Sequence, residues 1–254
     1  MEIVKPDIMV EENNSPVAII LPTYNEVGNI EKLISTIETL KINSMILVID
    51  DSSSDGTANI VKKLQQNHKN IMLVSRPSKM GLGTAIRDGF NFILSLQKQP
   101  KYIITMDADF SHNPYDITRL LWRARKGNDL VVGSRYCKEG KVKGWSFSRL
   151  LISKIANKMT SALIKLPIND YTSGFRCYSR EYISKTLPKL HTQTYEIQIE
   201  TLRQAYLQGS RVDEIPVIFE NRKKGKSKLA KTEIAAFSQY ILKVTWKRFF
   251  KKEH

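Results

Sequence analysis

Five short apolar runs, Val17–Leu21, Met45–Ile49, Ile71–Ser75, Tyr102–Met106 and Leu130–Val132, punctuate the first half of the chain. Helix-length amphipathic stretches lie between them: Val27–Leu40, Thr57–Asn67, Gly83–Leu96 and Tyr115–Lys126, with Pro114 expected at the first position of the last. The runs are rich in β-branched residues and too short for buried helices, so they predict strands covered on both faces. Strand and helix in alternation predict a mostly parallel sheet with helices on both sides. Ligands of such sheets gather at the carboxyl ends of the strands, which makes the residues after each run the candidates for function.

After about residue 147 the pattern changes. Phe147–Lys165 reads as a long helix in which Ile152, Ile155, Met159, Ala162 and Leu163, continued by Leu166, trace one face. A helix over Tyr195–Leu207, a strand over Val212–Phe219 and a lysine-rich loop over Arg222–Lys228 follow, before a last helix from Lys231. The expected organisation is an N-terminal extension, 1–15, taken as flexible; one catalytic domain, 16–230; and a basic amphipathic helix, 231–254. In that last segment Ile234, Phe237, Ile241, Val244, Trp246, Phe249 and Phe250 alternate with Lys243, Lys247, Arg248, Lys251 and Lys252. Such a helix can lie in the interface of an anionic membrane or pack on the domain.

The chain carries 40 Lys+Arg against 25 Asp+Glu, a net charge of +15, so an anionic substrate or surface is expected. No apolar run approaches the roughly 18 residues that cross a bilayer. The acidic start, with Glu2, Asp7, Glu11 and Glu12, is unlike an export signal, and the protein is expected to stay in the cytoplasm. Cys137 and Cys177 are too few and too far apart for a metal or redox pair and read as reduced thiols.

The first strand runs into Pro22-Thr23-Tyr24-Asn25-Glu26, the second into Asp50-Asp51-Ser52-Ser53-Ser54-Asp55-Gly56-Thr57, and the fourth into Asp107-Ala108-Asp109. Each loop alone could merely cap a helix or turn the chain. Acidic groups on several strand ends of one sheet, in a very basic protein, point instead to a shared site. Asp107 and Asp109, one residue apart, offer hard oxygen ligands to Mg²⁺ or Mn²⁺ and leave positions open for a substrate phosphate. Zinc fits poorly, because His68, His112, His191 and His254 are dispersed; His112 reads as a loop or supporting residue. There is no GxSxG nucleophile elbow. Gly225-Lys226-Ser227 lacks the earlier glycine of a P-loop, where Glu220 stands, and Gly81-Leu82-Gly83 reads as a tight backbone turn near a ligand.

With these residues in view, the chain resembles the inverting nucleotide-sugar glycosyltransferases of the GT-A fold, most closely the dolichol-phosphate mannosyltransferases. The stretches LPTYNE, VIDDSSSDGT, KMGLGTA, MDADFSHNP, VVGSRY, GWSFSRLLISKIAN, SGFRCY, IPVIFENR and GKSKL carry the resemblance in the family's order, from about Ile19 to Leu229. It implies a GT-A, Rossmann-like central sheet flanked by helices, and transfer of mannose from GDP-mannose to dolichyl or other polyprenyl phosphate. Pro22, Tyr24, Glu26, Ile49, Asp51, Asp107 and Ala108 match the positions that hold the nucleotide. Asp109 matches the carboxylate that binds Mg²⁺ or Mn²⁺ directly, with Asp107 acting directly or through water. Arg135, Arg222 and Lys228 match basic residues that meet the donor phosphates and the lipid phosphate, so Asp109, Arg135, Arg222 and Lys228 are the expected catalytic set. Ser111 stands where some relatives carry a glutamine near the metal. The expected partners are the two substrates, the cytoplasmic face of a membrane and small membrane subunits, but no nucleic acid.

The chemistry agrees. A departing diphosphate needs its charge neutralised, which a divalent ion with Arg and Lys provides. The acceptor, a phosphate monoester of about −1.5 to −2 charges, needs no general base. One in-line displacement with inversion is expected. The rival readings are a UDP-sugar transferase for glucose or GlcNAc on the same fold, a phosphohydrolase using the Asp107-x-Asp109 strand end, and a basic nucleic-acid-binding module. Lys223, Lys224 and Lys226 read as surface charge, and Glu196 with Glu200 as either partners for basic groups or catalytic acids.

Overall fold

The computed structural model describes residues 16–221, together with the backbone of residues 2–4. Its strands are β1 (Glu2–Val4), β2 (Val17–Thr23), β3 (Ser44–Asp50), β4 (Ile71–Ser75), β5 (Tyr102–Thr105), β6 (Leu130–Ser134), β7 (Lys141–Lys143), β8 (Arg176–Ser179), β9 (Val212–Pro216) and β10 (Ile218–Glu220). Its helices are α1 (Ile30–Thr39), α2 (Thr57–Asn67), α3 (Leu82–Leu94), α4 (Asp116–Ala124), α5 (Phe147–Leu163), α6 (Arg180–Thr186) and α7 (Ile197–Leu207), with a 3-10 turn at Leu187–Lys189.

The main sheet has eight strands in the order β1-β4-β3-β2-β5-β8-β6-β9. β4, β3, β2 and β5 run parallel, β8 is antiparallel to both its neighbours, β9 is parallel to β6, and β1 adds an antiparallel edge. β7 and β10 form a separate parallel pair. This is the mostly parallel α/β architecture that the strand runs predict. The Val/Ile runs explain it: alternate residues of β2 and β3 feed two different cores. Ala18, Ile20, Leu47 and Ile49 pack with Phe90 and Ile93 of α3 and with residues of α6 and α7. Val17, Ile19, Leu21 and Val48 pack on the opposite face with Leu33 and Ile34 of α1, Val61 of α2 and Leu120 of α4.

Four details depart from the sequence expectation. The predicted strand Val212–Phe219 is two strands, because Pro216 has no N–H with which to extend the ladder and the chain passes at Val217 from β6 to β7. Pro114 lies before α4, where its carbonyl accepts from Ile117 N at 3.0 Å. Part of the expected N-terminal extension, Glu2–Val4, is the edge strand β1. Finally, the apolar stripe of α5 does not face the core: Ile152, Ile155 and Met159 are exposed, and the buried positions are Asn157 and Thr160. Asn157 explains that choice, since its Nδ2 donates to Thr172 Oγ1 at 3.0 Å and its Oδ1 accepts from Tyr171 N at 2.6 Å. The expected C-terminal helix, 231–254, lies outside the described residues. No helix among the described residues is long and apolar enough to cross a membrane.

Candidate active site

The loops after β2 and β3 are zipped together by their own polar residues. Asn25, with φ 55°, takes Ser54 N on its Oδ1 and donates its backbone N to Ser53 Oγ at 2.8 Å. Asp55 accepts from Val27 N at 2.9 Å and from Thr57 N and Oγ1 at 3.0 and 2.6 Å, and Asp50 accepts from Thr23 Oγ1 at 2.9 Å and Ser53 Oγ at 2.6 Å. For these residues the turn-building reading is the right one. Their work leaves Pro22, Tyr24, Glu26 and Asp51 lining one cavity, joined there by Lys79, Gly81, Asp107, Ala108, Asp109, Thr194 and Tyr195. Lys79 Nζ sits 4.6 Å above the Tyr24 ring.

Asp51 is engaged by the protein itself. Arg76 Nη1 donates to its Oδ1 at 2.5 Å, and Met80 N and Gly81 N donate to Oδ2 at 3.2 Å each. Burial raises the Asp51 carboxyl above its ordinary pKa, and the Arg76 charge and those N–H groups oppose the rise. Arg76, itself buried, also donates through Nη2 to Thr84 Oγ1, so it ties the end of β3 to the start of α3. The turn there needs glycine. Gly81 has φ 98°, and a Cβ on Gly83 would lie 2.7 Å from Gln193 C and from Thr194 O. Gly83 N donates to Gln193 O at 2.9 Å, which seats the 193–195 wall of the cavity on the α3 N-terminus. Glu200 braces that wall from below, accepting from His191 N at 3.0 Å and from Thr192 N and Oγ1 at 3.0 and 2.6 Å, while Glu196 accepts from Thr194 Oγ1. Both acids thus hold this loop. Gly83→Ala is expected to cost about 1–3 kcal/mol through the backbone shift it forces, read as a lower Tm together with weaker nucleotide binding.

After β5 the chain delivers Asp107 and Asp109 into the same cavity. Asp109 is buried and its Oδ1 accepts from Ser111 N at 2.9 Å. Phe110 between them is held at φ 59°, a conformation rare for a side chain of its size. His112 is buried, its ring centroid 5.0 Å from those of Phe175 and Phe219, and its Nε2 is 3.9 Å from Asp107 Oδ2. Burial, with the Arg135 charge beside it, pulls its pKa down to about 4, so the imidazole is neutral at pH 7. Among the described residues no group of three or more His, Cys, Asp or Glu side chains could hold a metal ion. What the β5 end offers a metal is the pair Asp107 and Asp109, facing the cavity beside a buried Ser111 Oγ without a hydrogen-bond partner. An all-oxygen, incomplete set of this kind fits Mg²⁺ or Mn²⁺ whose shell is finished by a diphosphate.

Arg135, at the end of β6, is clamped. Its Nε and Nη2 donate to Asp170 Oδ2 and Oδ1 at 2.6 and 2.7 Å, its backbone N donates to the same carboxylate at 3.0 Å, and Nη2 also reaches Thr172 Oγ1 at 2.7 Å. Asp170 is fully buried. Burial works against both charges, but each offsets that for the other: the Arg135 pKa is raised and the Asp170 pKa is held below the ordinary carboxylate range. Trp145, Tyr136 and Phe219 surround the guanidinium at 5.4, 5.3 and 5.7 Å, and Arg149 stacks on Trp145 at 4.1 Å. A hollow of about 560 Å³ opens beyond Arg135, between β7 and α5.

Of the residues singled out from the sequence, Pro22, Tyr24, Glu26, Asp51, Asp107, Ala108 and Asp109 line the one cavity. Ile49 does not: it is wholly buried in the core on the α3 side of the sheet. Arg135 borders the neighbouring hollow, and Arg222 and Lys228 lie outside the described residues. Cys137 and Cys177 are free thiols, as expected, and burial raises the pKa of both. Sequence reasoning missed Arg76, Lys79, Asp170 and the Trp145–Arg149 stack. Lys79, which opens the quoted stretch KMGLGTA, and the run from Gly144-Trp145 to Arg149, also part of a quoted motif, were the ones with a signal in the sequence.

The family model described as Glycosyl transferase family 2 matches residues 18–187. The polyprenol monophosphomannose synthase of Mycolicibacterium smegmatis is 36% identical over 218 residues, covering 85% of this chain and 82% of the relative. The undecaprenyl-phosphate mannosyltransferase of Micrococcus luteus is 33% identical over 213 residues, covering 83% of this chain and 86% of the relative. Among solved structures, glucosyl-3-phosphoglycerate synthase from Mycobacterium tuberculosis, in complex with Mn²⁺, UDP and phosphoglyceric acid, superposes with a TM-score of 0.65 at 18% identity, over 91% of this chain and 78% of that one. A mannosyltransferase from Pyrobaculum calidifontis in complex with GDP-Man and Mn²⁺ superposes with a TM-score of 0.59 at 16% identity, over 94% and 67%. These two share the fold.

Proposed function

The chain belongs to glycosyl transferase family 2, and on that premise we propose that it transfers mannose from GDP-mannose to the phosphate of a polyprenyl phosphate, with inversion at the sugar carbon. The observation that carries this reading is the convergence of the β2, β3 and β5 ends on one cavity: Tyr24, Glu26 and Asp51 at one side, Asp107 and Asp109 at the other. The first group suits a nucleoside, and Lys79 over Tyr24 adds a cation beside it. The second suits a metal-bound diphosphate. Asp109 and Asp107 would hold Mg²⁺ or Mn²⁺, which when bound neutralises the charge developing on the diphosphate.

In the displacement an oxygen of the acceptor phosphate forms a bond to the anomeric carbon as that carbon's bond to the GDP oxygen breaks. The acceptor arrives ionised, so no side chain takes a proton from it. Among the described residues His112 is the histidine beside the carboxylates, and with its pKa pulled down to about 4 it is too weak a base to take one. Arg135 is fixed in place by Asp170 and aromatic rings, which suits a residue that must meet a phosphate in one geometry. Arg222 and Lys228 are assigned to the phosphates by the family pattern alone. A dolichyl rather than another polyprenyl acceptor, the cytoplasmic membrane face and assisting membrane subunits are part of the same proposal.

The lipid product decides the stereochemistry. Its anomeric configuration, assigned by NMR, is expected to be opposite to that of the donor; retention would refute the single displacement. A donor competition separates the UDP-sugar reading, which predicts that UDP-glucose or UDP-GlcNAc supports transfer where GDP-mannose does not.

A further inference from the structure

Gln198, in the first turn of α7, is 2% exposed, and neither Nε2 nor Oε1 of its carboxamide has a hydrogen-bond partner among the described residues. A buried amide left in this way costs stability, and native structures seldom carry one without a use. Its surroundings are firmly held. The Gln198 backbone N donates to Tyr195 O at 3.1 Å, which sets the residue one turn on from the 193–195 wall of the cavity. Its backbone O accepts from Nη1 of the wholly buried Arg176 at 2.6 Å. The amide faces Gly174. A Cβ on Gly174 would lie 3.3 Å from Gln198 Nε2 and 3.6 Å from Asp107 Oδ1, so the missing side chain leaves a gap bordered by the amide and by a carboxylate that lines the cavity. Gly174 does not have the positive φ that calls for glycine; what the residue keeps open there is space. The other oxygen of that carboxylate, Asp107 Oδ2, lies 3.9 Å from His112 Nε2.

We propose that Gln198 is a sugar-recognition residue, whose carboxamide, together with Asp107 Oδ1, hydrogen-bonds hydroxyl groups of the hexose on the nucleotide donor. The proposal deepens the donor-binding reading above and rests on it. What the groups around the gap can exchange selects a hydroxyl. Carboxylate oxygens only accept, whereas an amide both donates and accepts. A phosphate oxygen brings no proton for Asp107 or for Gln198 Oε1, and its charge repels the carboxylate. A hydroxyl satisfies both sides: it donates to Asp107 Oδ1 while accepting from Gln198 Nε2, and a neighbouring hydroxyl donates to Oε1. Asp107 has capacity for this beside a metal, because an ionised carboxylate offers about four lone-pair sites. The place is also the right one, since the transferred hexose is bonded to the diphosphate that the metal at Asp107 and Asp109 would hold. A site built to bond a hydroxyl discriminates strongly, because a sugar that lacks the group leaves buried polar atoms unpaired.

The test measures the binding of GDP-mannose and of GDP, each with Mn²⁺, to the full chain and to its Gln198→Met and Gly174→Ala variants. Gln198→Met keeps the length of the side chain and removes both hydrogen-bonding atoms; Gly174→Ala puts a methyl group into the gap. Both variants should bind GDP-mannose at least about tenfold more weakly than the wild type, while their affinity for GDP changes by less than about twofold. The Tm of Gln198→Met should match or exceed that of the wild type, because an amide unpaired in the free protein adds nothing to the fold. A Gln198→Met variant that keeps the wild-type ratio of GDP-mannose to GDP affinity would overturn the proposal, and a lower Tm beside it would make the amide a structural group. So would an equal loss of GDP-mannose, GDP and Mn²⁺ affinity, which would give the amide to the metal. Failure of the mannosyl-transfer reading looks different: the wild type would bind UDP-glucose or UDP-GlcNAc and not GDP-mannose. The same two variants, measured with that donor against UDP, then decide the proposal by the same ratio.

Discussion

Asp109→Asn is expected to lower mannosyl transfer by about a thousandfold while leaving the fold intact, the scale of losing a main charge-stabilising group. The substitution is nearly isosteric. An asparagine Oδ1 can still accept from Ser111 N, as Asp109 Oδ1 does at 2.9 Å, so the loop after β5 keeps its shape. What is removed is one negative charge from a site whose metal ligands would be Asp109 and Asp107. The check has two parts: Mn²⁺ binding followed by electron paramagnetic resonance, which should weaken sharply, and the Tm, which should stay close to that of the wild type. A large fall in Tm with unchanged Mn²⁺ affinity would make Asp109 a structural residue.

The largest effect on stability is expected at Asp170. Asp170→Ala leaves the Arg135 guanidinium buried with its principal counter-charge gone, and breaking a buried pair from one side costs about 3–5 kcal/mol. Removing the carboxylate also strands Arg135 N, Thr172 N and Ser173 N, all of which it accepts. Because the Asp170 pKa is lower in the folded protein than in the unfolded chain, its contribution is fully present above the unfolded value of about 3.9 and fades as pH falls through the folded value. Wild-type stability should therefore carry an acid-dependent component, below about pH 4, that Asp170→Ala lacks. Chemical denaturation at neutral and acidic pH measures both; a variant as stable as the wild type at pH 7 would refute the clamp. Asp170→Asn, which can still accept one hydrogen bond from Arg135, should fall between the two.

The strands and the loops that follow them were legible because their signals are local. Runs such as Val17–Leu21 and Met45–Ile49 are long enough, and rich enough in β-branched residues, to declare themselves, and the acidic residues after them lie within a few positions. Asp51 and Asp109 were found for this reason. Arg76 and Asp170 were not, because each is a single charged residue whose meaning depends on a partner 25 or 35 positions away. β8 was hidden by its own composition: it opens with Arg176, a wholly buried guanidinium that donates to the carbonyls of Ser173, Gln198 and Tyr171. α5 shows a different limit. Apolar spacing locates the apolar face of a helix but not whether protein or something else covers it, and here Asn157 and Thr160 turned inward. Ile49 shows the converse, a position matched to nucleotide contact whose side chain belongs to the core.

The most direct test of the central claim is a single incubation of the purified full chain with labelled GDP-mannose, polyprenyl phosphate and Mn²⁺, followed by organic extraction. The account predicts mannose label in an acid-labile lipid, dependent on both the metal and the polyprenyl phosphate. Label that stays entirely in the aqueous phase with folded protein, while UDP-glucose or UDP-GlcNAc labels the lipid, would contradict it.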